Sequence, residues 1–291
     1  MKKILTVMPC FLALIMAASC AGRSGSIPVV VLVVGDARVQ APGKEFTPAK
    51  AGQVIKKGDI IKTGPRSLMS IQIGERGIVQ IAGNSTLEAL SLFEAGACEL
   101  YLSRGTVLSR IDRLGREHYR VKTPTAVASV RGTVFSVSYG DEESTVGVSR
   151  GIVDVVDTAS GKKEEVGRGK AADVRAGIVV RDLYETESLE LEKADAVEYV
   201  QDVGTATPEA LEEKGKTFIT AIEKIDRKIE EVAPRTLEGM RAKYGRIDVV
   251  TLYTGKVYRG VILSRGASLT ILTPDGTVEV PKEKVKSTVA Q

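Results

Sequence analysis

Tryptophan is absent from this chain, aromatic residues make up only 4% of it, and there is a single histidine, His118. So thin an aromatic supply excludes a broad stacking surface for single-stranded nucleic acid or sugars. His118 sits in a basic run with no acid or cysteine pattern that resembles a catalytic triad or a metal cluster. No catalytic residue, metal or cofactor is expected. Cysteine is equally scarce. Of the three, Cys10 lies within an N-terminal leader, Cys20 closes it, and Cys98 stands alone, so no disulfide framework exists. Cys98, between Ala97 and Glu99, reads as a small buried hydrophobe. Net charge is only +4 and falls by two once Lys2 and Lys3 leave with the leader, too little to suggest a nucleic-acid partner.

What is present begins with that leader. Lys2 and Lys3 form a positive start, residues 4–16 form an apolar core too short to span a bilayer comfortably, and Ala17-Ala18-Ser19 precede Cys20. Small residues before a cysteine resemble a bacterial lipoprotein signal, in which Cys20 is lipidated and becomes the new N-terminus. Ala17 stands where that signal usually has leucine. Ordinary cleavage near Ala18 and an uncleaved anchor are the other two readings. The expected location is the bacterial envelope, with the chain anchored in a membrane, the outer before the inner, and facing the periplasm.

Apolar residues make up 43% of the chain, enough for a globular core. The pattern predicts a signal peptide over residues 1–19, a Gly/Ser tether over 20–27, an all-β domain over 28–181, a helical connector over 182–246 and a small β-barrel module over 247–291. Short strands punctuated by glycine and polar turns fill the first large unit, which reads as a sandwich, roll or solenoid. A short helix over residues 87–94 is compatible with that reading. In the connector, Thr207-Pro208-Glu209 is a helix start, and Leu211, Phe218, Ile222, Ile225 and Ile229 give that helix an apolar stripe. The stripe is read first as packing on the chain's own core.

Residues 121–139, VKTPTAVASVRGTVFSVSY, organise the β unit. Side chains alternate across a strand, and here both faces are largely apolar, as in a strand buried on both sides. Gly132 marks a bulge or a close backbone approach. Arg131 is the exception in this apolar setting and is expected to tether carbonyls or a carboxylate. An Arg-Gly-x-Val step recurs at Arg104-Gly105, Arg131-Gly132 and Arg150-Gly151. It reads either as turns stacked on successive solenoid coils or as independent glycine-led turns. The three arginines are binding candidates, with a structural role as the competing reading. Arg110, Arg113, Arg116, Arg120 and Lys122, with His118, read as an exposed basic edge.

The same stretch resembles the FecR domain, through Thr123, Pro124, Ala126, Val130, Arg131, Gly132, Thr133, Phe135 and Val137. The resemblance extends to the turns at residues 58–64 and 83–87, the step at 102–107 and the step at 145–153, and covers roughly residues 28–180. It implies a periplasmic β module. The name-giving FecR proteins relay signals from outer-membrane receptors to a cytoplasmic sigma factor, through a cytoplasmic segment and a membrane-spanning helix ahead of the domain. Only the leader precedes residue 28 here, so the sigma-regulating role is not expected to carry over. The leading expectation is a non-catalytic lipoprotein that binds a protein or a cell-wall polymer. A signal-transduction component is the second, and a glycan-active enzyme using carboxylates alone is the weakest.

Overall fold

The computed structural model describes residues 27–291 except 76, 95–96, 113–117 and 266–267. The leader, Cys20, most of the tether, Arg113 and Arg116 therefore lie outside the described residues.

Sixteen strands come first. They are β1 (Pro28–Val34), β2 (Ala37–Gln40), β3 (Thr47–Pro48), β4 (Ile60–Thr63), β5 (Leu68–Ile73), β6 (Gly77–Ile81), β7 (Thr86–Glu94) and β8 (Ala97–Ile111), and then β9 (His118–Lys122), β10 (Ala126–Val130), β11 (Thr133–Gly140), β12 (Glu143–Arg150), β13 (Ile152–Asp157), β14 (Lys163–Gly167), β15 (Lys170–Val174) and β16 (Ile178–Asp182). The connector holds α1 (Glu185–Ala196), α2 (Pro208–Val232) and α3 (Leu237–Tyr244). The last unit holds β17 (Asp248–Leu252), β18 (Val257–Arg265), β19 (Ser268–Thr273), β20 (Gly276–Pro281) and β21 (Val285–Ala290). Residues 87–94 are strand, not helix, because β7 pairs with both β4 and β8.

The sixteen strands form one hydrogen-bonded network folded into two layers at β8. The N-terminal part of β8 pairs with β7 and runs parallel to β9. Its C-terminal part pairs with β6 and β11. One layer continues through β9, β10, β13 and β14, and the other through β11, β12, β15 and β16. The layers face each other across one apolar core. There the rings of Tyr119 and Phe135 meet edge to face at 6.0 Å, and the Tyr119 hydroxyl bonds Ser109 Oγ at 2.9 Å. Of the arrangements the sequence leaves open, the sandwich is the one observed.

Helices cover the outer face of the second layer. Leu211, Phe218 and Ile222 of α2 pack on Val29, Val31 and Leu32 of β1. Thr207 caps that helix by accepting from the Ala210 N–H at 3.3 Å. The apolar stripe thus serves the chain's own core. Gly147 lies beneath α1, where a Cβ would come within 3.7 Å of Leu191 and 3.0 Å of Leu183. With helices above and the sandwich core below, β11 is buried on both faces. Val134 contacts Leu108 and Ala194 on the helix side, and Phe135 and Val137 enter the core.

The last five strands form a bent sheet in the order β20-β19-β18-β17-β21. β18 pairs with β17 through Gly260 and with β19 from Val261 onward. A Cβ on Gly260 would stand 1.8 Å from the Leu272 carbonyl oxygen, so the bend requires glycine. The two edge strands β20 and β21 do not pair with each other, so the expected barrel is an open sheet. Its apolar face closes on α3 through Met240, Tyr244, Ile247, Val261 and Leu272.

Candidate functional site

The residues that carry the FecR resemblance are mostly consumed by internal bonds. Asp59 is buried and accepts from the Lys56 N–H at 2.8 Å. Thr63 Oγ1 donates to the Ala82 carbonyl at 2.5 Å and accepts from the Ser85 N–H at 3.0 Å. Ser85 Oγ accepts from the Thr106 N–H at 3.0 Å. Three motifs distant in sequence thereby close on one another: the turn at 58–64, the turn at 83–87 and the step at 102–107. Gly105 is part of that closure, with φ +95° and a would-be Cβ only 2.2 Å from Ser85 Oγ. Thr123 seals the entry to β10, its Oγ1 accepting from the Ala126 N–H at 2.9 Å and bonding Ser144 Oγ at 2.7 Å.

The three Arg-Gly steps share one structural role. At Arg104-Gly105, β8 passes from one layer to the other. At Arg131-Gly132, the chain leaves β10 in the first layer and enters β11 in the second. At Arg150-Gly151, it returns from β12 to β13. The last two corners touch, since a Cβ on Gly151 would lie 2.8 Å from the Gly132 carbonyl oxygen and 2.5 Å from Thr133 Cγ2. Gly132 is thus the close approach, and the adjoining register shift falls where Val134 pairs with Arg150 and Phe135 with Val148. The stretch beyond Pro124 that reads as one strand is two, β10 and then β11.

All three corner arginines are exposed. Arg131 is therefore not the buried tether expected, because the corner turns its side chain out of the apolar strand. Among the described residues it makes no hydrogen bond or ion pair, and the same holds for Arg150. Arg104 stands at the opposite end of the sandwich. There its charge, after burial, helps push the Lys282 ammonium below its ordinary value, and Lys282 pairs with Asp141.

The expected basic edge does not form a single surface. Arg110 is only 8% exposed. It points from β8 toward the connector and donates to the Val197 carbonyl at 2.8 Å and the Asp195 carbonyl at 3.4 Å. Its guanidinium also stacks 4.7 Å above the Tyr199 ring. Arg120 and Lys122 lie in the other layer, and both bond Glu99 at 2.8 Å. Lys122 first, then Arg120, hold the Glu99 carboxyl below its ordinary value. Arg110 lies near the end of β8 in one layer while Arg120 and Lys122 share one face of β9 in the other, a separation that sequence order alone hides. His118 is half-buried, and Cys98 is fully buried in the core, as expected of a small hydrophobe. No group of three or more metal-ligating side chains occurs among the described residues.

Sequence reading missed the side chains that hold the connector. Gln72 Nε2 donates to the Val200 carbonyl at 2.8 Å, and Gln72 Oε1 accepts from the Val200 N–H at 2.8 Å. Gln80 Nε2 donates to the Lys193 carbonyl at 2.6 Å. Together with Arg110 they satisfy carbonyls at and beyond the C-terminus of α1. A glutamine at the same face of two consecutive apolar strands was the available signal. Arg181 joins β15, β16 and α1 through Asp173 at 2.7 Å and Glu187 at 2.8 Å. Despite opposing burial, Glu187 first and Asp173 next raise its pKa.

Comparison with known proteins agrees with the motif geometry. Residues 59–154 match the family model for FecR protein. Two crystal structures, at 2.50 Å and 1.65 Å, of a candidate anti-sigma factor from Parabacteroides distasonis are similar to this chain at 17% and 16% identity, with TM-score 0.38 in each case. Each match covers 42% of this chain and 59% of the other. No curated protein matches. No helix among the described residues is long and apolar enough to cross a membrane. The span from Asp59 to Asp154, which contains the braced turns and all three Arg-Gly corners, is a FecR domain.

Proposed function

We propose that the protein is an envelope component, anchored through Cys20, that works by recognising another macromolecule and not by catalysis. The observation that carries this reading is the FecR domain over residues 59–154, whose motif residues are engaged in bracing the sandwich. That leaves exposed corners and the C-terminal sheet as the surfaces free to vary with partner. The partner is a protein or a cell-wall polymer. The FecR match also favours a second reading, in which the protein receives a signal from an outer-membrane receptor and acts through another membrane protein.

Capture of crosslinked partners from intact cells, with the full chain carrying a C-terminal tag, tests both. Recovery of an outer-membrane receptor or an inner-membrane regulator supports signalling. Recovery of peptidoglycan fragments supports polymer binding. Nothing above a tag-only control sinks recognition as the function. Mass spectrometry of the mature N-terminus, with Cys20→Ser as control, checks the anchor.

A further inference from the structure

The end of the sandwich at which the chain enters is also the end that carries unpaired arginines. Pro28 of β1 pairs with Ile73, Ile73 with Gly77, Gly77 with Ile111, and Ile111 with Thr133, so one row of strand ends runs from the tether to the Arg131 corner. Arg150 lies one step further, opposite Val134. Arg168 follows in the turn between β14 and β15, beside Gly167, which pairs with Ile152. Arg131, Arg150 and Arg168 are exposed and have no ion-pair partner among the described residues. Between them stands Ile152, 57% exposed, an apolar side chain beside three guanidinium groups. The acids nearest the corner are few: Glu165, two residues before Gly167 on β14, is exposed with no ion pair among the described residues, and the others are engaged or further off. Asp182 takes Lys170 at 2.7 Å and Asp112 takes the Tyr199 hydroxyl at 2.8 Å. Glu75 sits in the β5–β6 turn and Glu198 follows Val197, whose carbonyl accepts from Arg110 of β8, whereas Asp202 lies toward the β1 edge, near which Lys56 is also exposed. That edge is four strand spacings from β11, or about 19 Å.

Six residues lie between Cys20 and Ile27, and the seven residue steps, fully extended, reach at most about 25 Å. A lipid on Cys20 therefore holds this end of the sandwich close to the bilayer. The opposite end, with the Asp141-Glu142 hairpin and the Asn84 turn against the C-terminal sheet, stays at least a strand length further out. We infer that the Arg131–Arg150–Arg168 corner rests on anionic lipid headgroups, with Ile152 dipping into the interface, and that the C-terminal sheet faces away from the membrane. The inference rests on the Cys20 anchor proposed above. Guanidinium groups match phosphate in geometry and charge, and such solvent-exposed contacts weaken with salt because mobile ions screen them as the Debye length shortens.

The test uses the full lipidated chain reconstituted in vesicles, with a bimane probe on Ile152→Cys or, at the other end of β13, on Ala159→Cys. Cys98 is buried and stays unlabelled. Nitroxide-headgroup lipids report proximity. In phosphatidylglycerol-containing vesicles the probe at 152 is quenched several-fold more than the probe at 159. The difference collapses in pure phosphatidylcholine, in molar salt, and when Arg131, Arg150 and Arg168 are changed together to glutamine. Lipid and salt dependence need no mutation at the corner, so a misfolded triple variant does not decide the matter. Equal quenching at both positions, or no dependence on lipid charge, overturns the inference. Protection of position 152 from aqueous thiol reagents in intact cells but not in vesicles assigns the corner to a protein or polymer and also overturns it. Flotation in pure phosphatidylcholine reads the anchor separately. A chain that fails to float refutes the Cys20 reading and this inference with it; a chain that floats without preferential quenching refutes the orientation alone.

Discussion

Gly105 shows how one residue can hold several motifs in register. Its φ of +95° lies where side chains other than hydrogen are strained, and its would-be Cβ is 2.5 Å from Ser85 Cα, which is backbone and cannot swing away. Gly105→Ala should lower stability by more than about 2 kcal/mol, read as a shift in the urea midpoint. Glu99 supplies a pH-dependent counterpart. Its carboxyl is held below the ordinary 4.5 by Lys122 and Arg120. A group depressed in the folded state stabilises above its unfolded pKa, and that contribution disappears as pH falls through the folded value. Its partners are substantially exposed, so the effect is less than about 1 kcal/mol. Glu99→Gln should therefore be slightly less stable than the native chain at neutral pH, and the two urea midpoints should converge below about pH 4. Midpoints that stay apart in acid would show that the glutamine acts through packing instead.

At the scale of elements, the connector is a third layer, attached by polar side chains as well as by apolar packing. Gln72 is fully buried and makes two 2.8 Å bonds to the backbone of Val200. Replacing it with leucine strands a donor and an acceptor, and Gln72→Leu should cost about 2 kcal/mol. The Val200 amide should lose its protection in hydrogen exchange, ahead of the amides of β8. Phe218 anchors α2 on β1, so Phe218→Ala should cost about 3–4 kcal/mol in a chemical-denaturation titration. If either change left stability within about 0.5 kcal/mol, the helices would be a loosely held flap and not a layer.

The whole molecule is polar along its length, with the tether at one end of the sandwich and the C-terminal sheet leaning on the other. That sheet is joined to the rest through α3. The Tyr244 ring lies 4.9 Å from the Tyr184 ring, and its hydroxyl bonds Thr186 Oγ1 at 3.1 Å. Lys243 adds a 2.7 Å pair with Glu185. Tyr244→Ala should loosen this joint, raising exchange rates of the amides in β17 to β21 while those of β8 and β11 keep native rates. A uniform rise through both units would mean that they unfold as one.

Much of this was legible in the chain itself. Strand positions followed from alternation and glycine turns, α2 from its cap and apolar stripe, and the FecR domain from ordered motifs, because these depend on neighbours within a few residues. What alternation cannot distinguish is a strand that continues from one that turns a corner. The step at residues 102–107 does not end a strand but lies inside the single bent β8. The one strand read beyond Pro124 breaks at Arg131-Gly132. The same limit governed the charges: the corner exposes Arg131, and the connector buries Arg110. Local pattern determined which residues are strand, helix or turn. Only tertiary packing decided which layer each strand joined, and with it which arginines were buried against carbonyls and which were left facing solvent.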